Sequence, residues 1–427
     1  MGTEIRFEVS NVTLDYAKNN MGSDYGFLFQ EADLTRRRSD GINYKYYEEH
    51  PEEEADLAEH ELAFVRPLSR VLPRLHVLGH SLDSVQTEYQ DALDEAATYG
   101  FGEEGPLPLT FEEFCDLANR YPLASLASEY IEWDTPDRAS VAQGRFAGHA
   151  DDFSRLPWAD NSDFYWSESS YLSAKLCILS PSSMLQIFAL NPENADAEVV
   201  WQFGPIVDAG WVDREAFCAG ARREQAILVA TEGASDARIL RRALDVLRSD
   251  VADFFRFIDG DERHHFWGTG NLVKFAEGLF RIDIQNKVLF LLDNDAEGVD
   301  AYRKLQDLKM PWNMRSMLLP DIDRLRRFPA LGPDGLNNCD INGRAAAIEC
   351  YLDLKLNGYP EARVIWSNYK KDVDAWQGAL EHKESYTRHF TMQTEESLRT
   401  GAYDTSKLIA VLDDLIAEAA RLYGAIE

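Results

Sequence analysis

The chain has little cysteine, no long apolar run and no excess of positive charge, and each shortage removes a class of function. Its five cysteines, Cys115, Cys177, Cys218, Cys339 and Cys350, are odd in number, and no two stand in C-x-x-C spacing. A disulfide framework or a zinc site is therefore not expected; buried free thiols in a reducing cytoplasm are. No stretch of about 18 apolar residues occurs, so neither a transmembrane helix nor a membrane partner is predicted. The opening MGTEIRFEVS has no basic segment followed by an apolar one, so no signal peptide is expected and the predicted location is cytoplasmic. Against 74 acidic residues stand 43 basic ones, a net charge of −31. That balance argues against a protein whose whole surface coats nucleic acid. It leaves room for a nucleic-acid enzyme with a local basic channel or bridging metal ions.

What is present is an ordinary globular composition, 45% hydrophobic and 27% charged over 427 residues. This length predicts about two to three domains. Residues 1–220 read as a mixed α+β domain. IRFEVSNVTLDYA and YGFLFQ alternate like short strands. Glu52 to Tyr99 has helical spacing of Glu, Ala and Leu, with Pro67 and Pro73 as breaks or starts. The run EEHPEEEADLAEHE reads as a solvated helix face. LTFEEFCDLANRY reads as a helix with Thr110 as N-cap and Glu113 three residues on. From Phe153 to Asp213 the chain is aromatic and irregular, and its strands are not placed.

Residues 221–325 have a clearer rhythm. AILVAT, FFRFID, VLFLLD and MRSMLL are short apolar runs, and SDARILRRALDVL, NLVKFAEGLF and EGVDAYRKLQDL are amphipathic helices between them. Strands alternating with helices of about 10 to 15 residues imply a parallel α/β sheet flanked by helices. Residues 326–427 read as a mainly helical C-terminal extension, with GRAAAIECYLDL and TSKLIAVLDDLIAEAARLYGAI both amphipathic.

In such a sheet, ligands collect beyond the carboxyl ends of the strands. Here those ends carry acids. AILVATEG ends in Glu232 and Gly233; Ser235 is a cap candidate and Asp236 falls in the first helical turn. VLFLLDND places Asp293 and Asp295 on one side of an extended chain, with Asn294 opposite. Glu232, Asp236, Asp293 and Asp295, brought together from strand ends about 60 residues apart, would repel one another strongly unless a divalent cation held them. Hard oxygen donors suit Mg²⁺ or Mn²⁺. Such ions activate water toward a phosphodiester and stabilise the leaving oxygen.

TEGASDARIL followed by VLFLLDNDAEG resembles a Toprim domain, the metal-binding fold of primases, topoisomerases and overcoming-lysogenization-defect nucleases. The resemblance implies that Glu232 is the acid/base or metal-coordinating glutamate and that Asp293 and Asp295 are metal ligands. Asp236 is similar to the extra acid of the nuclease branch. AAIECYL resembles that branch's downstream glutamate helix and implies Glu349 as ligand to a second metal. QGALEHKESY resembles its C-terminal lysine segment and implies Lys383 as the group that offsets transition-state charge. The extension 326–427 would thus complete the active site, with two Mg²⁺ or Mn²⁺ ions. The first residues, MGTEIRFEV and LDYAKNNMGSDYGFLFQ, resemble the HEPN/Toprim N-terminal domain of bacterial conflict and anti-phage proteins. No G-x-x-x-x-G-K-[ST] is present, a departure from overcoming-lysogenization-defect nucleases, which carry an ATPase domain.

The expected function is therefore a metal-dependent endonuclease acting on DNA or RNA in bacterial defence, as a homodimer or with a defence-system partner. Lys274, Arg324 and Arg327 are candidate phosphate contacts, with Arg326 beside them. Other basic clusters, Arg36 to Arg38 and Arg238, Arg241, Arg242 and Arg248, read as solvated faces. His264 and His265, in GDERHHFWGTG, lie in a loop at the functional end of the sheet, where WGTGN has backbone N–H groups for a phosphate. Two rivals stand beside this reading. One is a Toprim-like sensing or scaffold subunit that no longer cuts. The other is a metal-independent HEPN-like ribonuclease using Arg74 and His80, spaced like the neighbouring pair Arg70 and His76.

Overall fold

The computed structural model describes residues 3–39, 42–99, 101, 106–157, 165–258 and 268–424. The chain forms two compact units: Met1–His76 with His80–Ala221, and Val77–Gly79 with Arg222–Glu427.

The first unit is built on an antiparallel sheet of five strands, β1 (Glu4–Val9), β2 (Val12–Lys18), β3 (Leu34–Arg36), β4 (Leu62–Pro67) and β5 (Glu198–Gln202), in the order β2-β1-β5-β4-β3. Ile5, Phe7 and Val9 alternate inward along β1, as a half-buried strand requires. β1 and β2 form a hairpin that turns through Ser10, at φ 52°, and Asn11. The expected strand YGFLFQ is instead a 3-10 turn, Gly26–Leu28, closed by Phe29 N–H donating to Gly26 O at 3.1 Å. Leu28 and Phe29 are both buried, so that segment has no solvent face to alternate with. The expected helical stretch 52–99 contains β4 between its helices.

β5, from the stretch where no strand could be placed, takes the centre of the sheet. Its EVVWQ is buried from Val199 onward and shows no alternation, which is how a strand covered on both faces reads. Trp201 on β5 packs edge-on to Tyr25, Phe203 and Phe217. The predicted cap at Thr110 is in place: Glu113 N–H donates to Thr110 Oγ1 (3.2 Å) and Thr110 N–H to the Glu113 carboxylate (2.8 Å).

The second unit contains a parallel sheet of β6 (Ile227–Thr231), β7 (Phe255–Phe257), β8 (Lys287–Leu292) and β10 (Met314–Leu318), in the order β10-β8-β6-β7. Helices Ala234–Leu247, Thr269–Arg281 and Ala296–Asp307 connect successive strands. β8 is buried from Val288 to Leu292, the near-continuous apolar pattern of a strand covered on both faces. The short β9 (Asn294–Asp295) follows it and pairs antiparallel with β13 (Ala345–Ala346).

The C-terminal residues depart from the mainly helical expectation. β11 (Phe328–Gly332), β12 (Gly335–Cys339), β14 (Val364–Lys370) and β15 (Ala375–Leu380) form a second four-stranded sheet in the order β12-β11-β14-β15. β11 and β12 turn through Pro333 and Asp334 into Gly335 at φ 90°, and P-D-G is a turn signal. The expected helix GRAAAIECYLDL is instead β13 followed by a 3-10 turn, Ile348–Tyr351. Ala345, Ala346, Ile348, Cys350, Tyr351 and Leu352 are all buried, so the segment has no polar face on which a surface helix could turn. Helices do close the chain, at Lys383–Thr391, Glu395–Thr400 and Ser406–Gly424. No helix among the described residues is long and apolar enough to cross a membrane.

Candidate active site

In the parallel sheet, β6 lies between β7 and β8. The connection leaving β6 leads to one side and the connection leaving β8 to the other. Such a switch point opens a crevice at the strands' carboxyl ends, where ligands bind. Glu232 follows β6 and Asp293 follows β8, and the register pairs Thr231 with Leu291. The two acids meet there: Asp293 N–H donates to Glu232 Oε1 at 3.0 Å.

Asn294 turns away, as the strand alternation predicts. Its Nδ2 donates to Asp321 Oδ1 (2.7 Å), and its Oδ1 accepts from Gly343 N–H (2.9 Å). Asp295 caps helix Ala296–Asp307, its Oδ1 accepting from Gly298 N–H at 2.7 Å. A Cβ on Gly298 would stand 2.0 Å from Asp293 O. Glycine is thus what lets the helix start directly beneath the acidic turn. Gly298→Ala is expected to lower stability by about 1–3 kcal/mol through overpacking and to displace Asp293. Thermal denaturation measures this, and an unchanged melting temperature contradicts it.

Asp236 stands in the first turn of helix Ala234–Leu247. Its Oδ2 accepts from Gly233 N–H (3.0 Å) and its Oδ1 from Ser235 Oγ (3.0 Å). The N-cap is Gly233 rather than Ser235, whose hydroxyl is spent on Asp236. Asp236 and Asp293 line one small cavity with Thr231, Leu240, Leu319 and Ile348. The 3-10 turn after β13 brings in Glu349: Ile348 N–H donates to Asp293 Oδ1 (3.0 Å), and the Glu349 side chain is buried beside it. The charges of this group act on one another, Glu349 on Asp236, and Asp236 and Glu349 on Asp293. The structure therefore assembles Glu232, Asp236, Asp293, Asp295 and Glu349 in one neighbourhood.

Burial, and then the charge of Asp295, push the Glu232 carboxyl up to about 8. Burial, and then the charge of Glu349, push Asp236 up to about 7, while the positive charge of Lys383 opposes that rise. Asp293 is driven well above the usual carboxylate range by burial and by Asp236 and Glu232. Asp295 is raised by burial although Gly298 N–H and Gln377 hold it down. Lys383, exposed at the start of its helix, is thus within electrostatic reach of Asp236.

The donor set is entirely hard carboxylate oxygen, which in chemistry fits Mg²⁺ or Mn²⁺. Among the described residues, however, no three His, Cys, Asp or Glu side chains are drawn together closely enough to hold a metal ion as they stand. Mutual repulsion acts in that direction. The hydrogen bonds divide four of the five acids. Asp236 and Asp295 have both oxygens engaged. Glu232 and Asp293 each have one oxygen accepting a backbone N–H.

Two contributors carried no sequence signal. Gln377 on β15 donates from Nε2 to Asp295 Oδ2 at 2.6 Å. Lys407, on helix Ser406–Gly424, donates from Nζ to Cys350 O at 2.5 Å and braces the turn that carries Glu349; burial pushes its ammonium down to about 8. Both lie far along the chain from the acids they serve, and neither sits in a recognisable pattern.

The remaining candidates are dispersed. Lys274 and Arg327 are exposed. Arg324 is tied to Asp404 (3.0 Å) and to Ser406 Oγ (3.1 Å), and Arg326 to Asp323 (3.1 Å). His264 and His265 lie outside the described residues. In the first unit Arg74 is fully buried, and its Nε donates to Phe27 O at 2.7 Å. His80 stands beyond the end of the helix Leu68–Val77 that carries Arg74, and burial lowers its pKa. Arg74 is thus a structural tie without a substrate-facing surface, a correction to the HEPN-like pairing.

Comparison with known proteins adds one match. A family model described as HEPN/Toprim N-terminal domain 1 matches residues 1–225. No curated protein and no solved structure matches the chain.

Proposed function

The chain belongs to the HEPN/Toprim N-terminal domain 1 family, and from that premise we propose that its second unit is a divalent-metal-dependent nuclease that hydrolyses phosphodiester bonds. Family membership supports a nuclease-related role. The finer reading rests on one observation: Glu232, Asp236, Asp293, Asp295 and Glu349 gather at the switch point of a parallel sheet, where burial and the neighbouring acids push the Glu232, Asp236 and Asp293 carboxyls upward. The arrangement resembles that of Toprim nucleases.

Mg²⁺ or Mn²⁺ bound there would neutralise the phosphodiester and lower the cost of forming the attacking hydroxide. The chain's own groups supply the rest. Glu232 and Asp293 present carboxylates whose orientation is fixed by backbone N–H groups. Lys383 offers a positive charge on the Asp236 side, where charge on a departing oxygen needs compensation. Lys274 and Arg327 are proposed phosphate contacts, and Arg324 would have to leave Asp404 to become one. In the cell the protein is proposed as a cytoplasmic effector of bacterial anti-phage defence, acting as a homodimer or with a defence-system partner.

Incubation with DNA, RNA and tRNA in Mg²⁺, in Mn²⁺ and in chelator tests this. Cleavage of at least one substrate with metal and none in chelator is expected; undiminished cleavage in chelator overturns the proposal. A second reading, a Toprim-like subunit that no longer cuts, draws on the carboxylates' not standing in coordinating positions. Absence of both metal binding and cleavage would favour it.

A further inference from the structure

We propose that Gln377 is a positioning residue for the acidic cluster: its side-chain amide, delivered by a β-bulge, sets the Asp295 carboxylate in the orientation from which the cluster takes up a divalent cation. This rests on the reading of the cluster as a cation-dependent active site.

The amide makes two directed bonds. Nε2 donates to Asp295 Oδ2 at 2.6 Å, and Oε1 accepts from Glu297 N–H at 3.0 Å. Glu297 is in the first turn of helix Ala296–Asp307, so its N–H has no partner within the helix. Asp295 Oδ1 is meanwhile taken by Gly298 N–H. The carboxylate is held from both ends, by its own helix and by a strand of the other sheet. Such a clasp needs a side chain with a donor and an acceptor on one planar group. Glutamate lacks the donor and lysine the acceptor.

The strand is shaped to deliver it. The β14–β15 ladder is regular from Val364↔Leu380 to Trp366↔Gly378, then shifts to Asn368↔Gln377. Ser367 is the extra residue, and its Oγ donates to Gln377 O at 3.0 Å, on the bulge itself. A bulge of this kind re-aims the side chain opposite it. The next residue permits the approach. A Cβ on Gly378 would stand 2.6 Å from Val364 Cγ1 and 3.0 Å from Ala345 Cβ, and Ala345 pairs with Asp295. Glycine at 378 therefore lets β15 lie against β13, which puts the neighbouring amide on Asp295. Every one of these features converges on a carboxylate that the helix cap alone would leave with one oxygen unbound.

The test titrates Mn²⁺ into the full-length protein, Gln377→Ala, Gln377→Met and Asp293→Ala, with thermal unfolding of each in chelator. Groups that orient ligands typically cost ten- to a hundredfold in metal affinity when removed. Both Gln377 variants are expected to bind Mn²⁺ roughly ten- to a hundredfold more weakly. Gln377→Met keeps the length of the side chain, lacks the amide donor and adds no charge beside Asp295, and is expected to unfold close to the parent temperature, which separates orientation from folding. If Gln377→Ala folds poorly, Gln377→Met decides. Parent affinity in a folded Gln377 variant, beside lost binding in Asp293→Ala, overturns this inference alone. So does a Gln377→Met affinity loss accompanied by a large loss of thermal stability. Parent affinity in Asp293→Ala overturns the reading beneath it.

Discussion

Asp293→Asn is expected to cut metal-dependent cleavage on the order of a hundred- to a thousandfold, the scale on which a directed electrostatic contact to the reacting group is lost. It is also expected to leave the fold in place. The asparagine retains an oxygen for Ile348 N–H, so the turn that carries Glu349 keeps its tie to β8. What disappears is the negative charge, the one property that binds a dication. Asp293 sits among Asp236, Glu232, Asp295 and Glu349, and each of them raises its pKa. Asparagine carries no charge to be repelled or desolvated, so the chelated variant is expected to melt no lower than the parent. Loss of function with unchanged or improved stability is the mark of a strained site. Cleavage assays and thermal denaturation measure the two halves. Parent-level cleavage by a folded Asp293→Asn would remove the site from the account.

The second large effect is on pH dependence. Without metal, burial and neighbouring charge push the Glu232 carboxyl up to about 8 and Asp236 up to about 7, against about 4 in an unfolded chain. The native cluster thus binds more protons than the unfolded chain between those limits. A raised folded pKa contributes stability that is complete below the unfolded pKa and is lost as pH rises through the folded one. The contribution of these acids to the metal-free protein therefore falls from about pH 5 to about pH 8. His80 runs the other way, since burial lowers its pKa and favours the neutral ring at higher pH. Comparing melting with and without Mn²⁺ at each pH cancels His80, because only the acidic cluster exchanges protons for metal. Metal binding needs deprotonated carboxylates. The stabilisation by Mn²⁺ is expected to widen from pH 6 to pH 8. A gap that is constant or narrows would contradict it.

The sheet and its acids were legible in the sequence because both are local. VLFLLDND carries the strand, its end, Asp293 on one side and Asn294 on the other within eight residues, and the structure keeps that alternation. AILVATEG and the helix after it are read the same way. What was not legible depends on distant pairing. EVVWQ becomes a strand because β1 and β4 flank it, and both come from the first 67 residues. Ala345 and Ala346 favour helix by propensity, but pairing with Asn294 and Asp295 overrides it. The turn at Glu349 follows directly on that pairing, and the strand at Gln377 forms by pairing with β14. The resemblance to the nuclease branch therefore pointed to Glu349 with a helix where the chain forms a 3-10 turn, and it pointed to no amide on β15.

The most direct measurement is calorimetric titration of Mn²⁺ into the full-length protein at pH 7, in two buffers of different ionisation enthalpy. Saturable binding that releases protons is expected, because the metal displaces those held by Glu232 and its neighbours, and Asp293→Asn is expected to abolish both signals. No binding, or binding that the substitution leaves untouched, would contradict it.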